Sequence, residues 1–251
     1  MSEITHHEAL QIDDANASGR TPVVFVHGLW LLPSSWDRWR TVFEDAGYAT
    51  LAPGWPDDPE TVAEANANPR VFAQKSIKDV ADHFDAVIRK LDAKPAIVGH
   101  SFGGLMTQIL AGRGLSAASV AIDPAPFRGV LPLPISALRS ASPVLSNPLN
   151  RGRAVPLTYE QFRYAFANAV DENEAHALYE TYSVPGSGVP IFQAATANLN
   201  PWTEAQVDTK NPGVTEIREM PNRGHSLTID HGWREVAETA LAFIAQQLQK
   251  G

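Results

Sequence analysis

The sequence predicts an α/β protein, with a mostly parallel central sheet and helices on both faces. Three observations carry this. Residues 21–28 (TPVVFVHG) form a continuous apolar, β-branched run ended by glycine, as a strand covered on both faces does. Strand-like and helix-like stretches then alternate, the pattern of βαβ units. At residues 94–110 (KPAIVGHSFGGLMTQIL) an apolar run meets Gly-His-Ser-Phe-Gly-Gly and continues as a helix.

The elements follow in order. The first twenty residues hold at most an edge strand around residues 8–12. Residues 33–47 start with proline, carry Trp36, Trp39, Val42 and Phe43 at helical spacing, and end in glycine. Residues 48–56 give a second short strand closed by turn residues. Residues 76–93 set Ile77, Val80, Ala81, Phe84, Val87, Ile88 and Leu91 on one face of a helix. Strand, helix and strand then follow at 95–100, 102–114 and 118–126.

From 127 to 200 the rhythm breaks. A proline- and serine-rich stretch leads into helical runs at 159–170 and 172–183, which predicts an inserted helical cap. The core is then 1–126 with 201–251, and the cap 127–200. A last strand is expected at 214–221 (VTEIREMP), a loop at 222–232, and a closing amphipathic helix at 233–249.

The 251 residues suffice for one large domain with a sizeable core. A net charge of −8 argues against nucleic acid or an anionic membrane as the main partner. The absence of cysteine excludes thiolate metal sites, disulfides and cysteine nucleophiles. No basic-then-apolar leader opens the chain, and no apolar stretch has bilayer-spanning length, so a cytoplasmic location is expected. Metal and cofactor motifs are also missing, so none is expected and the partner is a small-molecule substrate.

Gly99-His100-Ser101-Phe102-Gly103 matches G-x-S-x-G between a strand and a helix. A serine on so tight a turn is strained, and its hydroxyl projects above the sheet at the positive end of the following helix. That predicts a nucleophile. Such a serine needs a base. His225, in a loop beside Gly224 just before the final helix, is the expected one, and His231 is the weaker competitor. Acyl transfer also needs oxyanion donors. The Phe102 N–H is one, and the Leu29 N–H, after His27-Gly28, is the other, with Trp30 beside it against the substrate.

These residues together resemble the α/β-hydrolase fold from residue 21 onward, and 27–39 (HGLWLLPSSWDRW) is similar to small esterases, lactonases and hydroxynitrile lyases of that superfamily. The resemblance implies the order serine, acid, histidine, with the acid usually after a seventh strand. That strand and its acid-bearing loop are missing between about 212 and 214. Some superfamily members, among them certain haloalkane dehalogenases, carry their acid after the sixth strand, where Asp123 stands here. Asp208 and Asp230 are the other candidates, and a site without an acid is the remaining alternative. A lost strand leaves a sheet edge that a second subunit could cover, so a homodimer is a further expectation.

The expected activity is serine hydrolysis of a carboxylic ester or lactone, with Ser101, His225 and Asp123 as catalytic residues. The alternatives are a cofactor-free lyase or perhydrolase on the same serine, or a ligand-binding scaffold without catalysis.

Overall fold

A computed structural model describes residues 3–131, 135–210 and 216–250. Its centre is a parallel four-stranded sheet: β1 (Pro22–Val26), β2 (Ala49–Leu51), β3 (Ala96–His100) and β4 (Ala118–Ile122), in the order β2-β1-β3-β4. In register, Val24 pairs with Leu51 and Ile97, and Gly99 with Ala121.

Side chains alternate across the sheet with period two. Val24, Val26 and Ile97 enter one apolar cluster; Val23, Phe25, Ala96 and Val98 enter another on the opposite face. The helices α1 (His6–Ser18), α2 (Asp37–Asp45), α3 (Val62–Ala67), α4 (Ile77–Ile88) and α5 (Phe102–Gly112) belong to the first half of the chain. The second cluster is filled by Trp39 and Phe43 of α2 and by Val236, Ala237, Ala240 and Ile244 of the closing helix α10 (Trp233–Leu248). The first takes α4 and α5, so both faces are covered, as a parallel sheet requires.

Between β4 and α10 the chain forms α6 (Ile135–Leu145), α7 (Tyr159–Ala165), α8 (Glu172–Tyr182) and α9 (Gly188–Ala195), with an antiparallel ribbon of β5 (Ala154–Val155) and β6 (Gly186–Ser187). Pro143 lies inside α6, and the Asn150 amide donates to the carbonyls of Pro143 and Val144. Val144, Phe162, Phe166 and Ile191 of this segment share one apolar cluster with Val24 and Leu105. Among the described residues no helix is long and apolar enough to cross a membrane.

Two expectations are corrected. Residues 8–12 are not an edge strand but the middle of α1. Thr5 and Glu8 form a reciprocal capping box at its start, Gly19 closes it in the left-handed conformation, and Ile12 and Ala15 are its buried stripe. The capping residues outweigh the short β-like pattern. The last strand is the other correction: residues 216–220 contribute none, and 211–215 lie outside the described residues. Consequently β4 is the sheet's edge among the described strands. A groove of about 400 Å³ runs beside it, lined by Val120, Ala121, Asp123, Met220, Arg223 and Phe243 among others.

Candidate active site

Ser101 closes β3 and opens α5, with φ 58° and ψ −122°. A non-glycine residue holds such a conformation only when its surroundings over-determine it. Here they do. The Ser101 N–H donates to the Ile122 carbonyl at 3.0 Å, and the Ser101 carbonyl accepts from Leu105 and Ala125 at 3.1 and 3.0 Å. The strand and helix lie so close that a Cβ at Gly99 would fall 2.2 Å from the Gly103 carbonyl, and one at Gly103 would fall 2.0 Å from that of Val26. The G-x-S-x-G glycines are therefore spacing requirements.

Asp123 follows β4 directly and has φ 41°, left-handed backbone that aspartate tolerates better than most residues. Its carboxylate accepts a hydrogen bond from His225 Nδ1. That bond, together with the nearby imidazole charge, holds the Asp123 carboxyl below its usual range, against the opposing effect of burial. The carboxylate is nonetheless 59% exposed, beside β4, the edge among the described strands, whereas the His225 side chain is 24% exposed.

The His225 loop is fixed by the helical segment and by α2. The Ser226 N–H donates to the Phe166 carbonyl at 2.9 Å, and the Trp39 indole donates to the Thr228 carbonyl at 2.8 Å. The His225 ring tilts against Phe166 on one side and His100 on the other, with centroids 5.0 and 4.6 Å away. Burial first, and then the neighbouring imidazole, push His100 down to about 3, so it stays neutral beneath the elbow. Gly224 packs close to the helical segment: a Cβ there would lie 2.5 Å from Asn168 Oδ1, which would have to turn aside, and 3.2 Å from the Phe166 carbonyl.

Ser101, Phe102, Asp123, His225 and Trp30 line one cavity of about 500 Å³. Most of its wall is apolar: Pro124, Ala125, Leu138, Leu145, Phe166 and Ile191. No hydrogen bond joins the Ser101 and His225 side chains. Leu29 is buried in the loop after β1, and Gly28 abuts the elbow: a Cβ on it would sit 2.8 Å from Ser101 Cβ. Trp30 has φ 65° and is braced from the ribbon: its indole donates to the Val155 carbonyl at 2.9 Å, and its carbonyl accepts from Val184 at 3.1 Å.

The rival residues are engaged elsewhere. Asp208 accepts from the Lys210 N–H within its own turn. Asp230 accepts from Ser226 Oγ and from the Gly232 N–H. His231 contacts Glu174 at 2.9 Å, and His176 stacks on Tyr159. Sequence reasoning missed Phe166, Asn168 and Arg223 of the cavity wall, which no periodicity marks. Gly224 was their one signal. Among the described residues no cluster of His, Asp and Glu has the form of a metal site.

A family model described as the alpha/beta hydrolase family matches residues 23–239. The chain belongs to this family. Polyneuridine aldehyde esterase is 17% identical, with a TM-score of 0.61 over 89% of this chain and 98% of that one. A pyrethroid hydrolase from Sphingobium faniae JZ-2 is also 17% identical, at 0.61 over 90% and 97%. A methylesterase from Arabidopsis is 13% identical, at 0.60 over 90% and 99%. These likenesses are of fold. Comparison with curated protein sequences finds no match.

Proposed function

We propose that this alpha/beta hydrolase family member is a serine hydrolase that cleaves a carboxylic ester or lactone of a small to medium apolar substrate through an acyl-enzyme. One observation carries the reading: the strained Ser101 shares an apolar cavity with His225, whose Nδ1 is hydrogen-bonded to the Asp123 carboxylate. In this reading Ser101 Oγ attacks the ester carbonyl while His225 Nε2 takes its proton. The N–H groups of Leu29 and Phe102 receive the oxyanion. His225 then returns the proton to the departing alcohol, and water repeats the cycle on the acyl-enzyme. The Asp123 carboxylate keeps the Nδ1 proton in place, leaving Nε2 free to act as base.

Initial rates on p-nitrophenyl butyrate test this. Wild type is expected to hydrolyse it, and Ser101→Ala to lose all but background. Equal rates in the two proteins would refute it.

The missing hydrogen bond between Ser101 and His225 favours a second reading, a binding scaffold whose serine is idle. Unliganded active sites often have such bonds long and tighten them with substrate, so the hydrolase reading stands first. A fluorophosphonate probe separates the two: labelling of Ser101 supports the hydrolase, and its absence supports the scaffold.

A further inference from the structure

We propose that the face beside the Ser101 cavity docks on an anionic lipid surface, with Leu199 and Trp202 entering the lipid and a set of arginines meeting the headgroups. Two stretches of chain lead from the cavity wall to this face. Pro124, Ala125 and Pro126 line the cavity, and Val130 and Leu131 follow them; Ile191, Ala194 and Ala195 line it too, and Leu199 and Trp202 follow those. The two stretches are bonded together. The Arg128 N–H donates to the Ala205 carbonyl at 2.8 Å, the Gly129 N–H to Asn198 Oδ1 at 2.7 Å, and the Asn198 amide to the Val130 carbonyl at 3.2 Å. The Arg128 guanidinium donates to the Pro201 carbonyl at 3.1 Å, beside Trp202. Four large apolar side chains thus come together in water: Leu131 is 71% exposed, Leu199 85% and Trp202 86%, with Val130 less so. Grouped apolar exposure of this kind marks a meeting place with a membrane or another protein.

Charge decides between these partners. The net charge of −8, which argues against an anionic surface, is unevenly spread. Residues 124–159 and 183–203, the two stretches with their continuations, contain Arg128, Arg139, Arg151 and Arg153 but no aspartate, glutamate or lysine. All four arginines are exposed, and Arg139 lies over the ring of Tyr164 at the cavity wall. Screening confines each charge to about 8 Å at physiological ionic strength, so an approaching surface meets this face rather than the net charge. A second copy docking here about a twofold axis would set arginine against arginine. Anionic headgroups match the arginines, and the boundary beneath them suits leucine and tryptophan. On the acyl-transfer reading, an ester dissolved in that lipid would lie next to the cavity; the docking itself does not rest on that reading.

The test is co-sedimentation of the full chain with vesicles, either an equal mixture of phosphatidylglycerol and phosphatidylcholine or phosphatidylcholine alone. Two double variants are compared with wild type, L199S/W202S and R151Q/R153Q. All four positions are exposed, so the unfolding temperature should not change. Light scattering gives the oligomeric state of each protein without lipid.

Wild type is expected to partition onto the anionic vesicles at least about tenfold more strongly than onto the zwitterionic ones, since one arginine near an anionic surface contributes about fivefold. L199S/W202S should weaken anionic binding at least about tenfold. R151Q/R153Q should weaken it by about tenfold or more and leave zwitterionic binding unchanged. Absence of wild-type binding to anionic vesicles would overturn the proposal, as would equal binding to both kinds or binding that both variants retain. A wild-type dimer that L199S/W202S converts to a monomer would also overturn it, assigning the face to a second copy. Sedimentation needs no turnover, so an inactive Ser101 would sink the hydrolase reading and leave this test intact.

Discussion

Asp123→Asn is the most informative substitution at the proposed site. Asparagine keeps the shape and shares the tolerance for left-handed backbone, so φ 41° adds no new strain. What disappears is the charge on the hydrogen bond to His225 Nδ1. A fully buried triad acid is worth about 10⁴ in rate. Here the carboxylate is 59% exposed, beside the edge among the described strands, so water screens its field and can take its place. The remaining quantity is one charge-assisted hydrogen bond, about 1.5–3 kcal/mol. At about 1.36 kcal/mol per decade this is a loss in kcat of roughly 10- to 150-fold. The assay is kcat on p-nitrophenyl butyrate at pH 8, in low salt and at 1 M. Screening at 1 M acts over about 3 Å, so the gap between wild type and variant should narrow there. A loss below about threefold would mean that Asp123 does not orient the imidazole. A loss near 10⁴ would mean that exposure does not weaken it, and the argument from the open edge would be refuted.

Other substitutions probe the frame. Gly103→Ala puts a Cβ 2.0 Å from a strand carbonyl that cannot yield, so urea unfolding should show a loss of more than about 3 kcal/mol or no folded protein. Phe166→Ala removes a fully buried ring that also braces His225; a cost of about 3–5 kcal/mol by urea unfolding should come with a fall in kcat, and an unchanged kcat would separate packing from positioning. Glu8 is buried against His83; burial raises its carboxyl, but the hydrogen bond and charge of His83, together with the hydrogen bonds from Thr5, outweigh this and hold it below its ordinary 4.5. A lowered carboxyl stabilises the fold above its unfolded value and loses that contribution as pH falls through the folded one. Glu8→Gln should therefore lower Tm at pH 7, reflecting a loss of about 1–3 kcal/mol of stability, and the difference should shrink as pH falls below 4.5.

The frame was legible because its residues obey local rules. The run PVVFV reads as a buried strand from its branching alone, and α4 declares itself by Ile77, Val80, Phe84 and Val87 on one stripe. Ser101 was legible from the glycines that let strand and helix touch. α1 was misread because a capping box between Thr5 and Glu8 is a two-residue signal beside a short stretch, residues 8–12, in which Ala9, Leu10 and Ile12 read as strand-like. The partnership of Asp123 and His225 spans 102 positions, and nothing in either neighbourhood encodes the other; only the chain order of the family suggested it. The ion pair of Asp58 and Lys75 escaped for a related reason. Both sit between the second strand and α4 in a stretch with no periodic pattern, and only the packed structure reveals that they are buried.

The loop carrying His225 is bonded to Phe166, a residue that also lines the cavity beside Ser101. Among the described residues no strand of the sheet follows β4 on that side. In the proposed mechanism the base therefore rests directly on the wall of its own substrate cavity: the ring that a bound acyl group would touch is the ring on which the imidazole leans.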